Sequence, residues 1–384
     1  MKKYRAGIAG VGFIGTTHIE ALRRLGNVEV AAITDTVDAQ SKADALFVPK
    51  GYTDYKSMID GENLDSIHIC TPNRTHYEMA RYALEHGVNV VCEKPMTTTL
   101  NEAWDLHTLT KQKNLIGAVN FMSRFYPMAY QMREMVRLGE VGEVFTVHGS
   151  YLQDWLLRDT DYSWRLEQEV SGESRAFADI GSHWIDLVEF VTGLRVVEVM
   201  ADFAIFHKTR KKPLKPVGTY SGLTMQPEDY QEIPITTEDY ASVLFHFENG
   251  TRGVCTLSQM CAGRKNQMVV TISGSKCTLQ WDTEDSNNLW IGRRERDNGL
   301  LAKDPSILSN AAKRITAYPG GHVEGFPDTF KQMFRQFYAA ISKNTRDKFD
   351  FATFRDGVRE MQLNEKIIQS AKERRWIAVE RSVE

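Results

Sequence analysis

The chain has 384 residues, 42% hydrophobic and 25% charged, the make-up of an ordinary globular protein with room for two or three domains. A net charge of −3 gives no electrostatic reason to bind nucleic acid or an anionic membrane surface, and no apolar run approaches the length of a membrane span. Five cysteines, at positions 70, 92, 255, 261 and 277, are odd in number and form no CxxC pair, which argues against a disulfide framework or a structural zinc and for a reducing, cytoplasmic setting. Met1-Lys2-Lys3 before an apolar stretch imitates a signal peptide, but glycines break that stretch.

Tyr4–Ala9 reads as a buried parallel strand, and Thr16–Leu25 sets Ile19, Leu22 and Leu25 at helical intervals. Between them lies Gly10-Val11-Gly12-Phe13-Ile14-Gly15, a GxGxxG run on a strand-to-helix turn. Gly10 permits the tight turn, Gly12 lets backbone approach a pyrophosphate, and Gly15 allows close packing of helix on strand. A second strand, Val28–Thr34, ends at Asp35, where a carboxylate accepts hydrogen bonds from adenosine ribose hydroxyls. Asp35 argues for NAD; NADP is disfavoured, because the carboxylate repels a 2′-phosphate and the nearest cation, Lys42, lies far along the chain.

Strand and helix go on alternating. Ser66–Cys70 is a strand ending in Thr71-Pro72-Asn73, Thr75–Glu85 a helix, and Asn89–Cys92 a strand ending in Glu93-Lys94-Pro95. A helix over Asn101–Gln112 and a strand over Ile116–Phe121 complete a doubly wound parallel α/β (Rossmann) pattern. From Glu143 the strands lengthen and alternate: Val144–Leu152, Val196–Phe206, Tyr240–Phe247, Thr251–Met260, Gln267–Ser273 and Lys276–Trp281. Glu248-Asn249-Gly250 and Ser273-Gly274-Ser275 are hairpin signals, so this part is an α+β domain with a large, mostly antiparallel open sheet. The boundary falls near Met122–Pro127, giving domains 1–123 and 124–384. The basic cluster Lys208–Lys215, with Pro213 and Pro216, reads as a solvated loop, and Trp281 and Trp290 as sheet packing or an oligomer surface. Tyr318–Phe326 is a flexible, glycine-punctuated loop leading into a helix over Pro327–Ile341.

In an open parallel sheet, ligands bind outside the carboxyl ends of the strands, so Thr71-Pro72-Asn73 and Glu93-Lys94-Pro95 should line one crevice with the glycine turn. With these motifs and Asp179-Ile180-Gly181-Ser182-His183, the chain resembles, over essentially its whole length, the glucose-fructose oxidoreductase, inositol dehydrogenase and rhizopine-catabolism family of NAD(P)-dependent oxidoreductases. The resemblance implies that Lys94 and His183 flank the substrate hydroxyl and that Phe13, Ile14, Thr71, Pro72, Asn73, His76, Glu93, Lys94 and Asn120 meet the cofactor with the glycines. It also implies a substrate-binding, oligomerising second domain in a dimer or homotetramer.

The chemistry agrees. Oxidising a secondary alcohol needs a base for the hydroxyl proton while hydride leaves for the nicotinamide. Lys94 can polarise the oxygen, and His183 is the candidate acid/base, since an imidazole titrates near pH 6.5. Asp179 is the first choice to orient His183 if the turn is helical, with Asp186 an equally placed competitor. Arg124 and Tyr126, at the expected domain junction, and Trp164, Arg165 and His322 are candidates for a sugar or cyclitol, whose CH faces stack on aromatics while its hydroxyls seek partners. No metal site is expected. Besides a dehydrogenase of secondary hydroxyls, an NAD-recycling glycosidase and an NAD(P)-sensing regulator fit the motifs.

Overall fold

A computed structural model describes residues 3–215, 226–343, 345 and 349–381; Met1, Lys2 and Pro216 lie outside the described residues. The chain divides into two compact units, Met1–Met122 with Phe326–Met361, and Ser123–Gly325 with Gln362–Glu384. Among the described residues no helix is long and apolar enough to cross a membrane.

The first unit alternates β1 (Tyr4–Ala9), α1 (Phe13–Arg23), β2 (Val28–Thr34), α2 (Ala39–Ala45), β3 (Gly51–Tyr52), α3 (Tyr55–Glu62), β4 (Ser66–Ile69), α4 (His76–Glu85), β5 (Asn89–Cys92), α5 (Leu100–Lys113) and β6 (Gly117–Val119). The strands form one parallel sheet in the order β3-β2-β1-β4-β5-β6. Every residue of β4 and β5 is buried, as expected of parallel strands covered on both faces. Ile19 and Leu22 put the apolar side of α1 fully inside, each burial stabilising the fold by about 1.5–3 kcal/mol.

A division after residue 123 would leave 326–361 in the second domain, and the structure corrects this. The helix Phe326–Lys343 buries Phe330, Met333, Phe334, Phe337 and Tyr338, an i, i+3, i+4, i+7, i+8 stripe. That stripe belongs to the first unit: the Tyr338 ring lies 5.5 Å from Tyr4, Phe326 stacks on Phe13, and Asp328 pairs with Arg24 at 2.5 Å.

The second unit contains α6 (Pro127–Arg137), β7 (Val144–Leu152), α7 (Gln168–Ser171), α8 (Ser182–Thr192), β8 (Val196–Ala204), β9 (Thr209–Pro213), β10 (Tyr230–Pro234), β11 (Tyr240–Phe247), β12 (Arg252–Ser258), β13 (Gln267–Gly274), β14 (Thr278–Asp282), β15 (Asn288–Gly292), β16 (Gly299–Ala302), α9 (Asn310–Ile315) and β17 (Ile377–Ala378). Nine of these strands make a sheet in the order β16-β15-β14-β13-β7-β12-β11-β8-β17, antiparallel except at β7–β12. One face buries Val243, Phe245, Cys255, Leu257, Val270 and Ile272, while Leu244 and Val254 on the other face stay exposed.

The basic cluster is a strand, not a loop. Residues 209–213 pair with β10, and Arg210 is 1% exposed, donating to the Leu156 and Arg158 carbonyls and to Asp239. Alternation along β9 turns one cation inward to a buried acid while its neighbours stay at the surface. Trp281 is buried in the sheet and Trp290 half-exposed.

Candidate active site

The three glycines of the turn differ in what their surroundings demand. Gly10 sits at φ +82°, a left-handed conformation that side chains resist. A Cβ on Gly15 would stand 2.0 Å from the Gly10 carbonyl oxygen, so helix and turn approach too closely for any side chain. Gly12 differs: its backbone is extended (φ −73°, ψ −162°), and a Cβ there would meet nothing within 4 Å. Neither conformation nor internal packing demands this glycine. It opens space beside the N-terminus of α1, whose N-cap offers no side-chain acceptor, and a pyrophosphate fits that uncapped, positively polarised end. Phe13 is exposed beside it and Ile14 partly buried.

Asp35 follows β2 directly. Its carboxylate accepts the Val11 amide at 3.2 Å and the Val37 amide at 3.3 Å, and pairs with Lys42 Nζ at 2.7 Å. Burial pushes its pKa up, but the Lys42 bond and the two amides outweigh burial and hold it below the usual carboxylate value. Lys42 thus reaches back across seven residues to neutralise the acid.

Past β4, Asn73 is buried and Thr71 accepts the Thr75 hydroxyl at 2.7 Å. His76, a cofactor candidate, is buried between two backbone carbonyls. Its ring nitrogens lie 2.9 Å from the Pro95 carbonyl and 2.8 Å from that of Thr71; burial lowers its pKa, and the neutral ring donates to one of these two carbonyls. Glu93 and Asn120, each a cofactor candidate, touch one another: Asn120 Nδ2 donates to Glu93 Oε1, which His18 Nε2 also meets at 3.0 Å. Lys94, half-buried, follows at once, and the Lys94–Pro95 bond is cis.

In the second unit, residues 177–181 form a π-helical turn that runs into α8, a geometry frequent at functional sites. The face shared by Asp179 and His183 is therefore not that of a plain α-helix. Asp179 accepts Arg165 Nε at 3.2 Å and Gln259 Nε2 at 2.8 Å, and the Arg165 guanidinium lies over the Trp164 ring at 4.5 Å. Three of the expected residues thus form one cluster. His183 is 7% exposed on the first turn of α8, its ring centroid 6.4 Å from that of Tyr151. Trp184 beside it anchors the helix, donating Nε1 to the Val269 carbonyl at 2.9 Å. Gly149 makes room for that indole, since a Cβ there would lie 2.7 Å from Nε1.

Two substrate candidates have partners within the second unit. Arg124 is buried and forks onto Asp186, Nε to Oδ2 at 2.8 Å, so both charges are committed to joining 124 to α8. Tyr126 is buried with its ring 5.0 Å from Trp281. His322 is exposed, with Nδ1 3.2 Å from the Gly320 carbonyl. Its loop is pinned rather than flexible: buried Lys303 donates to the carbonyls of Tyr318, Pro319 and His322, and buried Glu324 accepts the amides of Ala317 and Tyr318.

Sequence reasoning missed the acids that hold the π turn. Buried Glu238 accepts the Ser174 hydroxyl and the amides of Arg175 and Phe177, while Asp239 takes the guanidinium of buried Arg175. Burial raises the Glu238 pKa against those hydrogen bonds. The adjacent acids Glu238-Asp239 just before a strand were the available signal.

Residues 4–121 match the oxidoreductase family with an NAD-binding Rossmann fold, and 130–280 match the GFO/IDH/MocA C-terminal domain. Levoglucosan dehydrogenase of Pseudarthrobacter phenanthrenivorans is 25% identical over 401 residues, 99% of either chain. Glucose-6-phosphate 3-dehydrogenase of Bacillus subtilis is 26% identical over 371 residues, 95% of either chain. The crystal structure of an oxidoreductase domain protein from Kribbella flavida aligns with TM-score 0.88 at 28% identity, covering 99% of this chain and 100% of that one. With its parallel nucleotide sheet, uncapped glycine helix and mixed second sheet, the chain belongs to the GFO/IDH/MocA family of NAD-binding oxidoreductases.

Proposed function

We propose that this oxidoreductase oxidises a secondary hydroxyl of a sugar, anhydrosugar or cyclitol, with Lys94 and His183 acting on the reacting oxygen. The observation that carries the reading is the placement of Lys94, half-buried and directly after β5, at the same carboxyl edge of the sheet as the open space at Gly12. NAD, when bound, supplies the hydride acceptor. Lys94 stabilises the developing alkoxide, and His183 exchanges the hydroxyl proton. Asp179, already engaged by Arg165 and Gln259, acts as a positioning residue for the π turn and α8. The Trp164–Arg165 stack offers an aromatic face and donors to a polyhydroxylated ring. Two full-length relatives, named for levoglucosan and glucose 6-phosphate, support this substrate class. A homo-oligomer, dimer or tetramer, is proposed through the open sheet face carrying Leu244 and Val254.

The test is a screen of sugars and cyclitols with NAD and NADP, read as reduced-cofactor absorbance, on the wild type and Lys94→Ala. The variant should bind NADH as the wild type does and turn over at least a hundredfold more slowly, about 2.7 kcal/mol of lost transition-state stabilisation. Undiminished turnover overturns the assignment. Glycosidic cleavage without net NADH would identify the cofactor-recycling alternative.

A further inference from the structure

Buried polar side chains of the first unit stand in a line that starts at Glu93. Its Oε1 lies 3.0 Å from His18 Nε2; His18 Nδ1 is 3.0 Å from His68 Nδ1; His68 Nε2 is 3.0 Å from the Tyr338 hydroxyl; and that hydroxyl is 2.8 Å from Ser66 Oγ. His18, His68 and Ser66 are fully buried and Tyr338 is 1% exposed. Phe330 and Phe334 pack around the His18 ring and Phe337 beside His68, which keeps the line dry.

The donors can be assigned from one end. A carboxylate only accepts, so in a neutral His18 the proton sits on Nε2 and Nδ1 accepts. His68 Nδ1 must then donate, its Nε2 must accept the Tyr338 hydroxyl, and Ser66 donates to the Tyr338 oxygen. An anion at Glu93 beside a neutral His18 thus sets the direction of every bond, with Asn120 Nδ2, 3.2 Å from His18 Nε2, donating to Glu93 rather than to the ring. A proton on Glu93 would confront the proton on His18 or require the whole line to reverse. Burial pushes His68 well below its ordinary pKa and keeps it neutral. For Glu93 burial acts upward, but the His18 and Asn120 bonds and the Lys94 charge prevail and lower it. Lys94, His76, Cys70 and Cys92 are the other titratable groups facing Glu93, and Asp65 faces the Tyr338 end.

His18 lies one turn past Gly15 on the helix that receives the pyrophosphate, and Glu93 precedes Lys94. We propose that His18, His68 and Tyr338 are positioning residues: their one-way chain holds the Glu93 carboxylate deprotonated on the floor of the dinucleotide site, where it favours the cationic oxidised nicotinamide over the neutral reduced one. This rests on the NAD-dependent reading above, but it is read in binding alone.

The experiment measures Kd for NAD+ and NADH, without substrate, from about pH 6 to 9, in the wild type, Glu93→Gln and Tyr338→Phe. In the wild type the ratio Kd(NAD+)/Kd(NADH) should be flat. Glu93→Gln should raise it about tenfold at every pH, the size expected for losing one nearby charge in a partly screened site. Tyr338→Phe keeps the His18, Asn120 and Lys94 interactions of Glu93, so it should raise the ratio by less than Glu93→Gln does, and more at pH 6 than at pH 9, because His68 Nε2 loses the donor that sets the direction of the line. A ratio that ignores both substitutions overturns the proposal. Should Tyr338→Phe not fold, 15N chemical shifts of the wild-type imidazoles decide: His18 protonated at Nε2 and His68 at Nδ1 are expected, and the opposite tautomers overturn it. Failure to find a sugar substrate would sink the proposed function and leave this inference standing, whereas absence of any dinucleotide binding would sink both.

Discussion

Gly12→Ala separates the two reasons a glycine can be required. The backbone at Gly12 is extended, open to alanine, and no atom lies within 4 Å of the added methyl. The hydrogen bonds from the Thr16 amide and hydroxyl to the Gly12 carbonyl, each 3.1 Å, do not involve the side-chain position. In the unliganded protein the substitution should be neutral or stabilise by up to about 1 kcal/mol, because alanine has less unfolded-state entropy to lose. Dinucleotide binding should suffer. The methyl fills the space a pyrophosphate needs, and backing it away forfeits contact with the helix N-terminus, worth up to about 2 kcal/mol, plus about 1 kcal/mol of crowding. A loss of about 2–3 kcal/mol weakens binding about 30- to 150-fold. Gly15→Ala is the contrast: its Cβ would sit 2.0 Å from the Gly10 oxygen, so it should destabilise the unliganded protein by about 1–3 kcal/mol as well. Urea unfolding of the free proteins and NADH fluorescence titration give the two readouts. NADH binding by Gly12→Ala within twofold of wild type would refute the reasoning, because the dinucleotide would then not approach this turn.

Gly149→Ala puts a methyl 1.9 Å from the Val269 carbonyl that accepts Trp184 Nε1; a loss of about 3 kcal/mol in urea unfolding is expected, with a fall in turnover because His183 adjoins that indole. Arg124→Ala should cost about 3–5 kcal/mol by leaving Asp186 buried without its guanidinium, and Arg124→Ala with Asp186→Ala should cost less than that single change; the reverse order in urea titrations would contradict the pairing. His107 is held at a pKa of about 4, by burial first and then by Lys111 and Arg355. A folded value below the unfolded one means that its share of stability is complete above about pH 6.5 and is lost as pH falls toward 4. At ~1.36 kcal/mol per pH unit that share is at most about 3–4 kcal/mol, so the drop in urea midpoint between pH 7.5 and 5 should shrink in His107→Leu.

What the sequence made legible was local. β1, β2, β5, β7 and β11 begin and end at the residues read from apolar runs between turn signals, because a buried strand needs little beyond its own side chains to announce itself. The glycine turn and Asp35 at the end of β2 were equally within reach. What stayed hidden depends on partners far away in the chain. The helix Phe326–Lys343 reads as amphipathic, but nothing in its stripe says that it covers Tyr4 and His18 more than 300 residues earlier. Charged residues hide most completely, because alone they look either solvated or catalytic. Arg124, Arg210 and Lys303 are each buried against an acid, Asp186 at a separation of 62 residues, Asp239 at 29 and Glu324 at 21. Burying one such charge alone costs several kcal/mol, so each cation has a place only where the fold delivers its acid. The segments these pairs hold are the ones the motifs singled out: Arg124 is tied to α8 behind His183, Asp239 and Arg175 fix the entry to the π turn, and Lys303 with Glu324 pins the His322 loop. Charges that look solvated or catalytic in one dimension therefore brace the frame that holds the candidate groups in place.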